Sequence, residues 1–133
     1  MSQQAEAPYV YFVRLWIDPK IEAELFAWLD TGGHTLDVIS QPGFLWAKRY
    51  RLEQDAPDGW HAYVIIYGLD AKASLETYFK NPIHEKFARE RVRFDAGMRS
   101  ERMWGGLEAV TVSPNVSPNV SPKVGPKVSP NAR

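Results

Sequence analysis

Leu75-Glu-Thr-Tyr-Phe-Lys-Asn-Pro-Ile-His-Glu-Lys-Phe87 holds a helix end, a break and a helix start. Leu75, Tyr78 and Phe79 fall at i, i+3 and i+4, one face of a helix that Asp70 is placed to cap. Asn81 reads as a second N-cap, with Pro82 at the first helical position, where its missing N–H is harmless. His84 then lies in the first turn of the next helix. The positive end of a helix disfavours an imidazolium there. His84 is therefore expected to be neutral near pH 7 and able to accept a proton. Tyr78 brings a hydroxyl to a mostly apolar face. His84 and Tyr78 are the leading catalytic candidates. The plainer reading is a surface or half-buried histidine and a core tyrosine with its hydroxyl at the rim.

Upstream, Tyr9 to Ile17 (YVYFVRLWI) reads as a strand. Both of its faces are bulky and apolar, apart from Arg14. That arginine is either paired at a sheet edge or interface, or clamps a ligand carboxylate or enolate. Asp18-Pro19 starts a helix that runs to about Asp30, with Ile21, Leu25, Trp28 and Leu29 on one face. Gly32-Gly33 stops it. A short helical piece follows from His34. Its functional reading is a second general base oriented by Asp37, three residues on. Its structural reading is local capping of a broken helix, which is favoured.

Pro42-Gly43 turns into a second strand, Phe44 to Leu52. Here Phe44, Trp46, Lys48 and Tyr50 alternate with Leu45, Ala47, Arg49 and Arg51. A polar turn leads to a third strand, Trp60 to Leu69, which forms a hairpin with the second. His61 near its start reads as structural. After the break at Pro82, Ile83, Phe87 and Phe94 mark the buried stripe of a helix ending near Gly97. Arg89, Glu90, Arg91 and Arg93 read as its solvated or partner-facing side. Met103 to Val110 is expected to be the last strand. Trp28 and Phe87 are candidates for the apolar wall of a substrate site, with Arg14 and His34 as further substrate contacts.

The chain has 133 residues and no cysteine. Disulfides, thiolate metal sites and cysteine nucleophiles are excluded. Its three histidines are far apart, with no metal-ligand spacing, and no metal or cofactor is expected. From Val112 the chain repeats Val-Ser-Pro-Asn and close variants, and proline every fourth residue forbids helix and ladder pairing. The expected organisation is a polar leader at 1–8, one domain at 9–110 and a disordered tail at 111–133. The tail is basic, so the body holds 13 basic residues against 16 acidic ones, which argues against nucleic acid as partner. No apolar run reaches membrane-span length and the start lacks a signal-peptide pattern, so a cytoplasmic protein is expected. Five Trp, six Tyr and six Phe suit a pocket for an apolar or aromatic ligand.

The order β-α-β-β-α-β implies an α+β ferredoxin-like sandwich, one antiparallel sheet with helices on one face. The first and third strands carry apolar residues on both faces, and the helices cover only one. The simplest cover for the other is a second copy, giving a homodimer whose sheets meet as a barrel.

That architecture resembles the dimeric α/β barrel superfamily over residues 9–110. The Pro42-Gly43-Phe44 turn into a strand reaching Arg49-Tyr50 resembles many of its members. Tyr78-Phe-Lys-Asn-Pro-Ile-His84-Glu-Lys-Phe87 is similar to the Y-x-x-H-P-x-H-x-x-F segment of the stress-responsive A/B barrel (olivetolic acid cyclase-like) group. There the Tyr and the second His form the catalytic pair of a plant polyketide cyclase, positions that match Tyr78 and His84. Asn81 stands where that pattern has its first His. The resemblance implies a small cofactor-independent enzyme doing acid–base chemistry on a hydrophobic aromatic or polyketide-like carbonyl compound. Cyclisation, isomerisation, elimination and oxygenation all occur in the superfamily. So do non-catalytic ligand-binding proteins and haem-degrading enzymes, and fold alone does not choose among them.

Overall fold

Asp18 and Asn81 start helices by one device. Asp18 Oδ1 accepts from the Lys20 N–H at 3.0 Å, and Asn81 Oδ1 accepts from the Ile83 N–H at 2.9 Å, each with a proline at the helix start. Asp70 does not cap. The third helix begins from Ala71 without a side-chain cap, and Asp70 Oδ1 instead accepts from the Ser74 hydroxyl at 2.6 Å. The computed structural model describes residues 6–116. Most of the expected leader and repeat tail lies outside them.

The elements are β1 (Tyr9–Ile17), α1 (Pro19–Leu29), α2 (His34–Ile39), β2 (Phe44–Arg51), β3 (His61–Leu69), α3 (Lys72–Lys80) and α4 (Pro82–Arg91). A 3-10 helix (Val92–Gly97) then leads into β4 (Met98–Gly106). The strands form one antiparallel sheet in the order β2-β3-β1-β4. This is the α+β ferredoxin-like arrangement. No helix among the described residues is long and apolar enough to cross a membrane.

β1 and β3 pair without a break from Tyr9–Leu69 to Ile17–His61. Their alternate residues Tyr11, Val13, Leu15 and Ile17, and Tyr63, Ile65, Tyr67 and Leu69, are buried under the helices. Leu25 and Leu29 of α1, Leu75 of α3 and Phe87 of α4 close that core. The opposite face of the same strands carries Val10, Phe12, Trp16, Val64 and Ile66, which the helices do not cover.

Two strands differ from expectation. β2 carries a bulge between Phe44, opposite Leu69, and Trp46, opposite Gly68. The bulge turns Phe44 to the helix side, while Trp46, Lys48 and Tyr50 stay on the open face. Simple alternation would have placed Phe44 with Trp46. Gly68 is required here, since a Cβ would lie 2.5 Å from the Trp46 indole. β4 runs from Met98 to Gly106 instead of 103–110. Its first half, Met-Arg-Ser-Glu-Arg, is polar and reads as loop. As an edge strand it needs only one partner, and charged side chains suit that position.

Candidate active site

Tyr78 ends the buried face of α3, and His84 sits one turn into α4, across the Asn81-Pro82 break. The break bends the chain so that the two rings meet edge to face, with centroids 4.9 Å apart. Both line a cavity between the sheet and the helices. Its volume is 60 Å³, well below the ~300–1,000 Å³ of pockets that enclose drug-sized ligands. It is partly open to solvent, and in this form it accommodates a small molecule or one end of a larger one. Among the described residues, no group of three or more His, Asp or Glu is placed to hold a metal ion.

Burial pushes the Tyr78 hydroxyl well above the usual phenol range, and Tyr67 and Tyr11 in the same cavity are raised for the same reason. All three are therefore protonated donors at neutral pH. The His84 imidazole is held below its ordinary value, first by burial and then by the charges of Arg102 and Arg91. It is neutral as expected. The causes acting on it are desolvation and two guanidinium groups, whereas the sequence pointed to the helix end.

His34 turns inward. It is only 9% exposed, stacked on Trp28 at 4.0 Å and edge-on to Phe87 at 4.7 Å. Its Nδ1 is buried without a hydrogen-bond partner among the described residues, so the alternative orienting bond from Asp37 is not formed, and the favoured capping role is not seen either, since α2 starts from Gly33 without a side-chain cap. Trp28, His34 and Phe87 all line the cavity. Trp28 and His34 also wall a larger outer groove of 480 Å³ that includes Lys86, Arg89 and Arg93. Arg14 lies elsewhere. It is exposed on the open face of the sheet, with its guanidinium 4.9 Å from the Trp16 ring centroid.

Burial depresses His34 to about 4, and the opposing pulls of Glu90 and Asp37 and pushes of Arg91 and Lys86 leave that direction unchanged. Because the folded value lies below the unfolded value of about 6.5, the unfolded chain binds more protons between the two. The contribution is whole above pH 6.5 and is lost as pH falls toward 4, on the order of 3 kcal/mol. Urea unfolding at stepped pH is expected to show this fall, and His34→Phe is expected to flatten it. An unchanged slope in the variant would remove His34 as its source.

Arg91, read from the sequence as solvated or partner-facing, is instead half-buried and lines the same cavity, as do Arg102, Tyr11 and Tyr67, which sequence reasoning missed. Arg91 was legible, since Ile83, Phe87 and Arg91 fall at i, i+4 and i+8 on one stripe. Arg102 was not, because its direction depends on the β1–β4 register, in which it stands opposite Val13. A carboxylate-linked histidine lies outside the cavity. His61 Nδ1 is 2.6 Å from Glu22 Oε1, and the Tyr63 hydroxyl donates to Glu22 Oε2, tying α1 to β3. Burial and that hydrogen bond push Tyr63 up to about 12.

Several solved structures share this fold. A dimeric ferredoxin-like protein from an uncultured marine organism superposes with a TM-score of 0.60 at 14% identity, covering 77% of this chain and 97% of that one. SnoaB, a cofactor-independent oxygenase from Streptomyces nogalater, does so with a TM-score of 0.53 at 22% identity, covering 81% and 99%. A monooxygenase from the gene ActVA-Orf6 of Streptomyces coelicolor, in complex with Nanaomycin D, gives a TM-score of 0.57 at 18% identity, covering 80% and 93%. At these identities the likeness is one of fold. No curated protein matches the chain. Residues 8–102, from the start of β1 into β4, match the family described as a domain of unknown function, DUF4286, and the chain belongs to that family.

Proposed function

We propose that the cavity is the active site of a small cofactor-independent enzyme acting on a carbonyl compound. The observation that carries this reading is the contact between a neutral His84 and a protonated Tyr78 at the wall of one cavity. His84 takes a proton from the carbon alpha to a carbonyl, or from a phenol. Tyr78 donates a hydrogen bond to the oxygen on which charge develops. The substrate then sets the outcome, which is cyclisation, isomerisation, elimination or reaction of the enolate with molecular oxygen. The last outcome is the one favoured by the oxygenases that share the fold. The cavity takes the reacting end of an aromatic or polyketide-like compound. Incubating the purified protein with such a library, without added cofactor, tests the proposal by mass spectrometry. Turnover is expected in the wild type, and a product formed equally well by His84→Ala would sink the assignment.

The open face of the sheet, with Val10, Phe12, Trp16, Val64 and Ile66 uncovered, is assigned to a second copy of the chain. Dimeric assembly of a relative in fold supports this. A stable interface of about 1,600 Å² buries such a face. Sedimentation is expected to give a dimer, and Trp16→Glu a monomer, since a carboxylate would be buried there unpaired. A monomeric wild type at micromolar concentration would overturn it.

A further inference from the structure

We propose that the ligand of this cavity carries a carboxylate, held by Arg91 and Arg102. The proposal rests on the reading of the cavity as a substrate site and adds the class of substrate. Both arginines are half-buried and line the cavity with Tyr11, Tyr78 and His84. Among the described residues, neither has a carboxylate within ion-pair distance, although the exposed arginines 49, 51 and 99 each do. Asp95 attracts Arg91 only from beyond such contact. Glu101, next to Arg102 along β4, points to the other face of the sheet. Arg102 donates from Nη1 to the Ser100 hydroxyl at 3.1 Å and also reaches the Tyr11 hydroxyl, and neither partner carries a negative charge.

Two like charges lining one partly desolvated cavity raise the energy of the empty site, and burial followed by the charge of Arg102 opposes the ionisation of Arg91. The tyrosines do not neutralise them, since burial keeps those phenols protonated. A ligand carboxylate would accept from both guanidinium groups and from the Tyr11 or Tyr78 hydroxyl. It would also place the adjoining carbon within the space shared by Tyr78 and His84. A neutral carbonyl compound of equal size would leave both charges uncompensated.

The test is binding, read by tryptophan fluorescence and by heteronuclear NMR on the full chain. The probes are acetate and benzoate, their neutral isosteres acetamide and benzamide, and inorganic phosphate. Saturable binding of a carboxylate is expected at about 1 mM, with the matching amide at least about 10-fold weaker. Arg91→Met and Arg102→Met are each expected to weaken the carboxylate about 10-fold, and Arg51→Met, an exposed arginine outside the cavity, to leave its binding within about 3-fold. Without ligand, both arginine variants are expected to unfold at the same or higher urea concentration than the wild type, since an uncompensated cation has gone.

Equal binding of amide and acid overturns the proposal, as does binding of phosphate alone, or no saturable binding of either acid. A marked loss of stability in both arginine variants assigns them to the fold and overturns it as well. None of these results touches the proton-transfer reading, which fails separately if His84→Ala keeps full turnover of an identified substrate.

Discussion

His84→Ala is expected to lower turnover of the cognate substrate by about 10²–10⁴-fold, the usual contribution of a positioned general base. The imidazole is a neutral proton acceptor that touches Tyr78 at the cavity. Burial, then the charges of Arg102 and Arg91, holds its value down, so the pH profile carries a second signature. Because its value is depressed, activity should rise with pH and level off below the ordinary histidine range near 6.5. Removing a nearby cation relaxes that depression. Arg102→Met should therefore shift the acidic limb of the profile upward, a change that a packing role would not produce. Tyr78→Phe keeps the ring contacts with Phe44 and Phe79 and loses only the donor. Its expected cost is about 10²-fold in kcat, with little loss of stability. Full activity in both single variants would leave the cavity without its assigned chemistry.

Phe87→Ala is expected to destabilise the protein by about 3–5 kcal/mol, as large aromatic truncations in a core do. Phe87 is 2% exposed and is the largest of the fully buried side chains. It joins α4 to the core and packs edge-on against His34. A loss of this size is a large share of the about 5–15 kcal/mol that holds a typical domain. Urea unfolding measures it, and Phe87→Leu, which keeps most of the volume, should cost less. A loss below about 1 kcal/mol would mean that the site collapses freely and that α4 is not docked through this ring. The truncation also opens His34 to water. Its depressed value should then move back toward 6.5, and the acid sensitivity of the variant should fall.

The element order was legible because its signals are local. Asp18-Pro19 and Asn81-Pro82 both start helices by side-chain capping, which involves residues two apart in the chain. The periodicities of β1 and β3 gave both their extent, within a residue, and their two apolar faces. Tyr78 and His84 were legible as separate candidates on either side of a capped break, but their meeting was not, because side chains across a proline break can point in any direction. The exchange of Asp70 from cap to Ser74 partner was not, since both are available to the same carboxylate and the loop through Gly43 chooses. Gly43 sits at φ +88°, and a Cβ there would meet the Ser74 hydroxyl oxygen at 2.1 Å. The glycine lets this approach form.

What the chain order determined by itself is the α+β sandwich, its uncovered apolar face and the capped break between Tyr78 and His84. All three follow from residues within a few positions of one another, where backbone sterics, capping and alternation act. Only the tertiary structure decided which polar side chains share the cavity. Arg14 alternates with buried neighbours yet faces away, while Arg102, in a polar run, faces in. The sheet register settles both, and register is a property of paired strands. His34 is buried for the same kind of reason, because Trp28 and Phe87, from two different helices, close on it from opposite sides. The charge of the cavity comes from those long-range placements, and it adds to the burial that already lowers His84.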